Sequence, residues 1–166
     1  IVKKSKEFDE YLKEISNRAD DVRSKTVHRK DDNMLKITSD GRKAALDMRL
    51  VNPKLPFNYE SKVFYCANNV RFIYQRTNEQ KSTQLVFCDI STPKKGFNIY
   101  DSLKELLILM EIPSDEIAYI HDAVTETERM KLFKKVQTGD IRILIGSTAK
   151  LGLGVNVQNK LVALHH

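Results

Sequence analysis

Apolar segments of strand length alternate with amphipathic helical patterns through the second half of the chain, and this alternation constrains the fold more than any other feature. The apolar segments are 84–90, 116–120, 141–145 and 161–164. Apolar residues recur at helical spacing between them, for example in 99–111. Strands that alternate with amphipathic helices are typical of a parallel sheet covered by helices on both faces. The sequence therefore predicts an α/β fold in which a parallel sheet is the middle of three layers.

The first part of the chain has a different pattern and is predicted to be a helical extension. Apolar residues follow helical spacing over 8–15, which defines one face of a helix. Ser39 or Asp40 is a candidate N-cap for a second helix, and the prolines of the stretch that follows end it. We therefore predict a helical connector over 1–58 and a separate sheet domain over 59–166.

The composition is that of an ordinary globular protein with a basic excess. Hydrophobic residues make up 41% and charged residues 30% of the 166 residues, and the formal net charge is +6. A positive excess of this size permits binding to nucleic acid. No apolar run is long enough to cross a membrane, and no signal-peptide pattern is present. We therefore expect a cytoplasmic protein that has no membrane partner.

The two cysteines do not form a metal-binding or redox motif. Cys66 and Cys88 belong to no CxxC pair and to no Cys/His cluster, so reduced thiols without a structural metal are expected. Cys88 lies within an apolar segment, where a buried and inert thiol is more typical than a nucleophile.

Small polar residues follow three of the predicted strands at the point where each strand ends. The three stretches are Asp89-Ile90-Ser91-Thr92, His121-Asp122-Ala123 and Gly146-Ser147-Thr148. Carboxyl ends of parallel strands meet at one edge of the sheet, which is where α/β proteins bind ligands. Hydroxyl groups and free backbone amides at such an edge can hold phosphate oxygens. The stretches therefore indicate a nucleotide or phosphate-backbone site, with the alternative that Ser91 and Thr92 only cap the next turn.

Motifs that would carry catalysis are absent from the sequence. There is no GxxxxGK[ST] phosphate loop, and no Asp-Glu pair follows an apolar strand to hold magnesium. Gly152 and Gly154 lack the third glycine and the strand–helix placement of a dinucleotide-binding fingerprint. His121-Asp122 is a poor catalytic dyad, because adjacent strand-end residues point in different directions. We therefore predict no catalytic residue and no metal ligand in this chain.

Three stretches resemble motifs of superfamily 2 helicases. Residues 84–92 resemble motif IV, and residues 120–129 are similar to the Asp-Gly … Arg segment of the second helicase lobe. Residues 143–156 resemble motif V in the Ser-Thr-Arg-Ala-Gly-Gly-Leu-Gly-Leu-Asn form of Swi/Snf-type translocases. The matching positions are Ser147, Thr148, Gly152, Leu153, Gly154 and Asn156, and the departures are Ala149, Lys150 and Leu151. From about residue 34 onward, the chain resembles the helicase part of the helicase–DNA-methyltransferase proteins of bacterial conjugative elements and phages.

The resemblance implies the second RecA-like lobe of an ATP-dependent DNA helicase or translocase. In that family ATP and Mg²⁺ lie between two lobes, and the N-terminal RecA-like lobe of the same protein supplies the phosphate loop. The second lobe holds the DNA backbone without reading its sequence. The residues implied to contact nucleic acid are Ser91, Thr92, His121, Ser147, Thr148 and Lys150. The residues implied to face the ATP cleft are Gly152, Leu153, Gly154 and Asn156.

The resemblance also implies that the chain is part of a longer protein. Motif VI, which supplies the arginine finger in the family, is expected shortly after Leu164, where the chain ends. We therefore expect this chain alone to hold neither ATP nor Mg²⁺ and not to hydrolyse ATP. The alternative is a non-catalytic α/β module that binds nucleic acid or protein, and the sequence that flanks it in its gene would separate the two.

Overall fold

A computed structural model describes residues 4–152 and 157–166 of the chain. The chain forms two compact units, Ile1–Tyr65 and Cys66–His166, and each is described by itself. The boundary predicted after residue 58 lies shortly before this division. None of the helices within the described residues combines the length and the hydrophobicity that a membrane crossing requires.

The first unit is built from helices. Helix α1 spans Lys6–Arg23, α2 spans Met34–Leu46, and a 3-10 turn follows at Met48–Leu50. The Ser5 hydroxyl caps α1 by accepting a hydrogen bond from the amide of Phe8 at 3.2 Å. Serine is among the preferred residues at this position because its oxygen satisfies an amide that the helix leaves free.

Helix α2 begins earlier than the sequence pattern predicted. Its N-cap is Asn33, whose Oδ1 accepts a hydrogen bond from the amide of Lys36 at 3.0 Å. The predicted cap at Ser39 or Asp40 is therefore wrong, since both residues lie inside the helix. Asp40 instead accepts a hydrogen bond from Arg18 of α1 at 3.2 Å, which ties the two helices together.

The second unit contains a four-stranded sheet in which every pair of neighbouring strands is parallel. The strands are β1 (Thr83–Phe87), β2 (Ile117–Tyr119), β3 (Ile143–Gly146) and β4 (Leu161–His165). Their order is β2-β3-β1-β4. The helices are α3 (Lys62–Arg76), α4 (Ile99–Leu109), α5 (Glu126–Thr138) and α6 (Thr148–Leu151). The predicted α/β fold with a parallel sheet is confirmed.

Helices cover both faces of the sheet. On one face the strands pack against α5 and α6 in a core that contains Leu85, Leu144, Val136, Leu151 and Val157. On the other face, the side-chain amide of Gln84 donates to the Val70 carbonyl of α3 at 3.0 Å. The Tyr119 hydroxyl donates to Asp101 of α4 at 3.0 Å on the same face. Because strand side chains alternate between faces, each helical layer receives its own set, as in a three-layer RecA-like fold.

Local sequence sets both ends of α5. The Thr125 hydroxyl accepts from the Glu128 amide at 3.2 Å, and the Glu128 carboxylate accepts from the Thr125 amide at 2.9 Å, so that the two residues form a capping box. Gly139 ends the helix with φ 84°, a left-handed conformation that favours glycine. A Cβ at this position would lie 2.5 Å from the carbonyl oxygen of Lys81, so close packing also excludes a side chain.

A fully buried arginine joins α3 to the start of β3. Arg142 is 1% exposed, and its guanidinium stacks on the ring of Tyr74 at 3.7 Å. Its Nη2 donates to the Tyr74 carbonyl at 2.7 Å and to the Thr77 carbonyl at 3.1 Å. Its Nη1 donates to the Asn78 side chain at 2.8 Å, and its Nε donates to the Ser82 carbonyl at 3.2 Å. The positive charge is thus placed at the C-terminus of α3, where free carbonyls favour a cation.

The edge strand β4 is held by a short chain of hydrogen bonds. His165 Nε2 lies 2.9 Å from Gln84 Oε1. Since the amide nitrogen of Gln84 donates to Val70, its oxygen has to accept, and the Nε2 of His165 is therefore the donor. Burial, followed by the charge of His166, lowers the pKa of His165, so the neutral ring is the favoured form in the folded unit.

Candidate functional site

The carboxyl ends of β1, β2 and β3 lie side by side at one edge of the sheet. In the parallel register Phe87 is paired with Gly146, and Tyr119 is paired with Ile145. The residues that follow each strand therefore leave the sheet at the same edge. Because β3 lies between β1 and β2, the stretch 146–148 occupies the middle position. The structure thus brings together the three polar stretches that were predicted to form a site.

A carboxylate joins two of these stretches. Asp89 Oδ1 accepts a hydrogen bond from the amide of Thr148 at 2.7 Å, and Asp89 Oδ2 accepts one from its hydroxyl at 2.9 Å. Both residues are exposed. Thr148 is predicted to donate to strand phosphates, but both of its donors point at Asp89 in this structure. An incoming phosphate would have to compete with the carboxylate for them.

The other hydroxyl groups of this edge differ in accessibility. Ser91 has a left-handed backbone with φ 62°, and its Oγ accepts a hydrogen bond from the Ile99 amide at 3.1 Å. This is the capping role that was the alternative to phosphate binding, although the hydroxyl keeps its own proton to donate. Thr92 is partly exposed, whereas Ser147 is only 9% exposed. Thr92 therefore offers a ligand more surface than Ser147 does.

His121 and Lys150 are neighbours because the segments that carry them pack around a glycine. A Cβ on Gly146 would lie 2.5 Å from the side chain of Ile120 and 2.6 Å from that of Leu151. Both segments therefore pack on this position, and Lys150 lies close enough to His121 for its charge to lower the pKa of the ring. Only a glycine leaves room for this approach.

The His121 ring is neutral at this edge. Burial is the main cause of its lowered pKa, and the positive charge of Lys150 lowers it further, against the opposing effect of Asp122. Its Nδ1 is buried and has no hydrogen-bond partner within residues 4–152 and 157–166. The ring packs in a T-shaped arrangement with Tyr100, with centroids 5.3 Å apart. At neutral pH Lys150 is therefore the cation of this pair.

Two further cations lie at this edge, and the motif-based prediction leaves them out. Lys94 and Lys95 are exposed in the loop between β1 and α4. A signal for them is present in the sequence, because they form an adjacent basic pair between Pro93 and Gly96, just after a strand end. The helicase motif positions do not include this pair.

Only one of the four residues predicted to face an ATP cleft is described. Leu153, Gly154 and Asn156 lie outside the described residues. Gly152 follows α6, and its amide donates to the Thr148 carbonyl at 2.8 Å. A Cβ at Gly152 would lie 2.6 Å from that carbonyl oxygen. Close packing therefore accounts for a glycine here without a ligand, and the role in an ATP cleft stays a prediction.

The thiols of the second unit are suited to packing and not to chemistry. Burial raises the pKa of Cys66 and of Cys88 to about 11. The Cys88 thiol donates to the Ile90 carbonyl, with the sulfur 3.0 Å from the oxygen. A thiol with so high a pKa is a poor nucleophile at neutral pH, since the thiolate is the reactive form. No group of three or more His, Cys, Asp or Glu side chains is placed to hold a metal ion in the part of the chain that the structure describes.

Comparisons of this chain with known protein families, with curated proteins and with solved structures find no match. The resemblance to superfamily 2 helicases therefore rests on the motif residues alone. The function has to be argued from the geometry at the carboxyl edge of the sheet.

Proposed function

We propose that this chain is the second RecA-like lobe of an ATP-dependent DNA helicase or translocase that acts in the cytoplasm. The observation that carries the proposal is the all-parallel sheet, whose three polar strand ends meet at one edge. An antiparallel arrangement of β1, β2 and β3 would have separated these ends and excluded such a lobe. Their meeting point is also the edge at which α/β proteins bind their ligands.

The proposed contact with nucleic acid is made to the sugar–phosphate backbone. Lys150 supplies a positive charge, and the hydroxyl groups of Ser91 and Thr92 supply neutral donors. Contacts to phosphates fix the position of a strand without reading its sequence, which suits a motor that has to move along any strand. The net charge of +6 adds attraction at longer range.

The nucleotide is assigned to a cleft between this lobe and an N-terminal RecA-like lobe of the same protein. Since the 166 residues contain no GxxxxGK[ST] phosphate loop, the proposal gives the nucleotide phosphates and Mg²⁺ to that first lobe. Residues 152–156 of this chain would form the opposite wall. When bound, ATP supplies the free energy of hydrolysis. The role of this chain is to hold the backbone of the DNA strand while the two lobes close and to move the DNA strand as they open.

A binding titration tests the proposal. Fluorescence anisotropy of a short, labelled DNA strand of mixed sequence would be followed as the purified chain is added at about 50 mM salt. Sequence-independent binding has dissociation constants of about 1–100 μM at physiological salt, so we expect a value below about 100 μM at this lower salt and a steep loss of affinity as salt is raised. Absence of binding at low salt, to both single-stranded and duplex DNA, would contradict the proposal.

The same preparation should not hydrolyse ATP. A phosphate-release assay with and without DNA measures this, with a mock purification as the control. An arginine finger alone contributes about 10³-fold or more to such reactions, and the phosphate loop and the finger are both assigned to other parts of the protein. Turnover that stays with the chain through repeated purification would contradict this assignment of roles.

A further inference from the structure

Residues 91–98, the later part of the loop between β1 and α4, carry exposed charges that the proposed function has not used. We propose that Lys94 and Lys95 of this segment, here termed the lysine loop, bind neighbouring phosphates of a nucleic-acid strand, and that Asn98 positions them. The inference rests on the proposed function, because it adds contacts to the same backbone ligand at the same edge.

The lysine loop lies where such contacts are needed. It follows β1 after residues 88–90, and β1 is one of the two inner strands of the sheet. The end of the other inner strand, β3, carries Lys150 in the α6 segment. Asp89, two residues before the lysine loop, accepts hydrogen bonds from Thr148 of α6. A nucleic-acid strand that runs along this edge of the sheet would therefore pass both the lysine loop and Lys150.

The backbone of the lysine loop is held from inside by one buried side chain. Asn98 is 1% exposed. Its amide nitrogen donates to the Lys94 carbonyl at 3.1 Å and to the Gly96 carbonyl at 3.4 Å. The same nitrogen donates to the Asp101 carboxylate at 2.6 Å, and the Asn98 oxygen accepts from the Asp101 amide at 2.9 Å. One residue thus fixes both the turn of the loop and the start of α4.

Two left-handed residues give the loop its shape. Ser91 has φ 62° and Gly96 has φ 82°. The Ser91 hydroxyl closes the base of the loop by accepting from the Ile99 amide at 3.1 Å. A loop that is already ordered loses less conformational entropy when a ligand binds. The two lysines are therefore presented on a preformed support, with their side chains exposed.

Among the described residues, the lysines of this edge have no acidic partner within ion-pair distance. No ion pair within residues 4–152 and 157–166 involves Lys94, Lys95 or Lys150. The two carboxylates nearest to Lys94 and Lys95 in the sequence are already engaged. Asp89 accepts both donors of Thr148, and Asp101 accepts from Asn98 and from Tyr119. The positive charges are thus free for phosphates, which lysine binds as a point charge.

A pair of double variants tests the inference. Lys94→Ala/Lys95→Ala removes two charges from the lysine loop, and Lys134→Ala/Lys135→Ala removes two exposed charges from the C-terminal end of α5. That end of α5 lies at the opposite edge, since Gly139 packs against Lys81 just before β1. Both variants have the same net charge, so that only the position of the lost charges differs.

The readout is the slope of log K against log salt concentration in the anisotropy titration. For the loop variant we expect the slope to fall by about 2, since each lost phosphate contact removes about 1. Its affinity at low salt should fall about tenfold. The α5 variant should keep the wild-type slope. Circular dichroism would confirm that both variants are folded.

The outcomes separate this inference from the proposed function. If the two double variants weaken binding equally and keep the wild-type slope, the lysine loop makes no phosphate contact and the inference is wrong, while nucleic-acid binding stands. If the wild-type chain binds no nucleic acid, the proposed function fails and the inference fails with it. Asn98→Ser keeps an acceptor for the Asp101 amide but removes the amide nitrogen that donates to the loop carbonyls. A slope between those of wild type and the loop variant supports its positioning role, and an unchanged slope and affinity refute it.

Discussion

Single polar residues at the two edges of the sheet are used in opposite ways. At the edge where the strands begin, here termed the amino edge, Arg142 is buried. Its hydrogen bonds all go to groups of the protein. At the carboxyl edge Asp89 and Thr148 are exposed, so their hydrogen bonds can be exchanged for bonds to water or to a ligand. A buried polar network that is fully satisfied stabilises one structure, whereas an exposed one is easily rearranged. The hydrogen bonds of Arg142 therefore support the fold, whereas those of Asp89 and Thr148 leave donors and acceptors that a ligand could use.

Replacing Arg142 tests the supporting role of the amino edge. We expect Arg142→Met to lower the free energy of unfolding by about 3 kcal/mol, because it leaves buried carbonyls of α3 without donors. Arg142→Lys should cost about 1–2 kcal/mol, since it keeps the charge and loses the planar group that stacks on Tyr74. Urea denaturation followed by circular dichroism measures both.

The matched control for Arg142 is Arg76→Met. Arg76 is the last residue of α3, the helix that Arg142 contacts, but it is exposed and contacts the ring of Phe72 at the surface. Exposed substitutions of this kind change stability by about 0.5 kcal/mol or less. A loss at Arg142 no larger than the loss at Arg76 would show that the buried network contributes little.

Among the helices, the ends that depend on local sequence were predictable. The capping box of α5 involves residues three apart, and its closing glycine follows directly, so a single stretch of sequence contains the whole signal. The start of α2 was missed because the apolar spacing of its first turn resembled an extended segment, and Asn33 was not recognised as its cap.

The role of Arg142 was missed for a different reason. Its partners lie 60 to 68 residues away in the sequence, and no local pattern reveals them.

Two glycines in helical surroundings should respond oppositely to the same substitution. Gly139→Ala should destabilise by more than about 2 kcal/mol, because the residue has a positive φ and its Cβ would meet the Lys81 carbonyl. Gly41→Ala lies inside α2, where nothing is found within 4 Å of a Cβ. There alanine should stabilise by about 0.5–1 kcal/mol, since it restricts the unfolded chain. Thermal and urea unfolding of the two variants would measure the difference, and a shift of the same sign in both would contradict the explanation.

The edge strand β4 should make stability depend on pH. The folded unit lowers the pKa of His165, mainly by burial, so folding favours the neutral ring. The resulting stabilisation is fully present above the ordinary histidine pKa of about 6.5 and is lost as the pH falls through that value towards the lowered pKa. His121 acts with the same sign, because burial lowers its pKa also. Urea midpoints should therefore fall between about pH 7 and pH 5.

His165→Gln isolates the contribution of β4 to this pH dependence. Glutamine can still donate to Gln84 but does not titrate, so the fall in the urea midpoint should be smaller than in the wild type. His28→Gln, at an exposed position in the first unit, should retain the wild-type fall. An unchanged pH dependence in His165→Gln would mean that the burial of His165 contributes nothing to the pH dependence of stability.

For the molecule as a whole, sequence reasoning identified the edge that carries the candidate site but not how its groups pair. Three polar strand ends and an alternating pattern were enough to place them together, because parallel strands share one carboxyl edge. The bond between Asp89 and Thr148 spans 59 residues, and it depends on β1 and β3 being neighbours. Strand order is set by the packing of the whole sheet, so the occupation of the Thr148 donors was not visible in either stretch alone.

The whole molecule should also bind nucleic acid without regard to its sequence. The cations at the carboxyl edge, Lys94, Lys95 and Lys150, are point charges, and phosphates are the same in every strand. We expect labelled strands of equal length and different base composition to bind with dissociation constants within about threefold of one another. Anisotropy titrations at one salt concentration measure this, and an unlabelled polyanion such as heparin should displace all of the strands. A preference of about 100-fold for one sequence would indicate contacts with base edges. In that case the chain would be a module that reads a nucleic-acid sequence and not a lobe that holds the sugar–phosphate backbone.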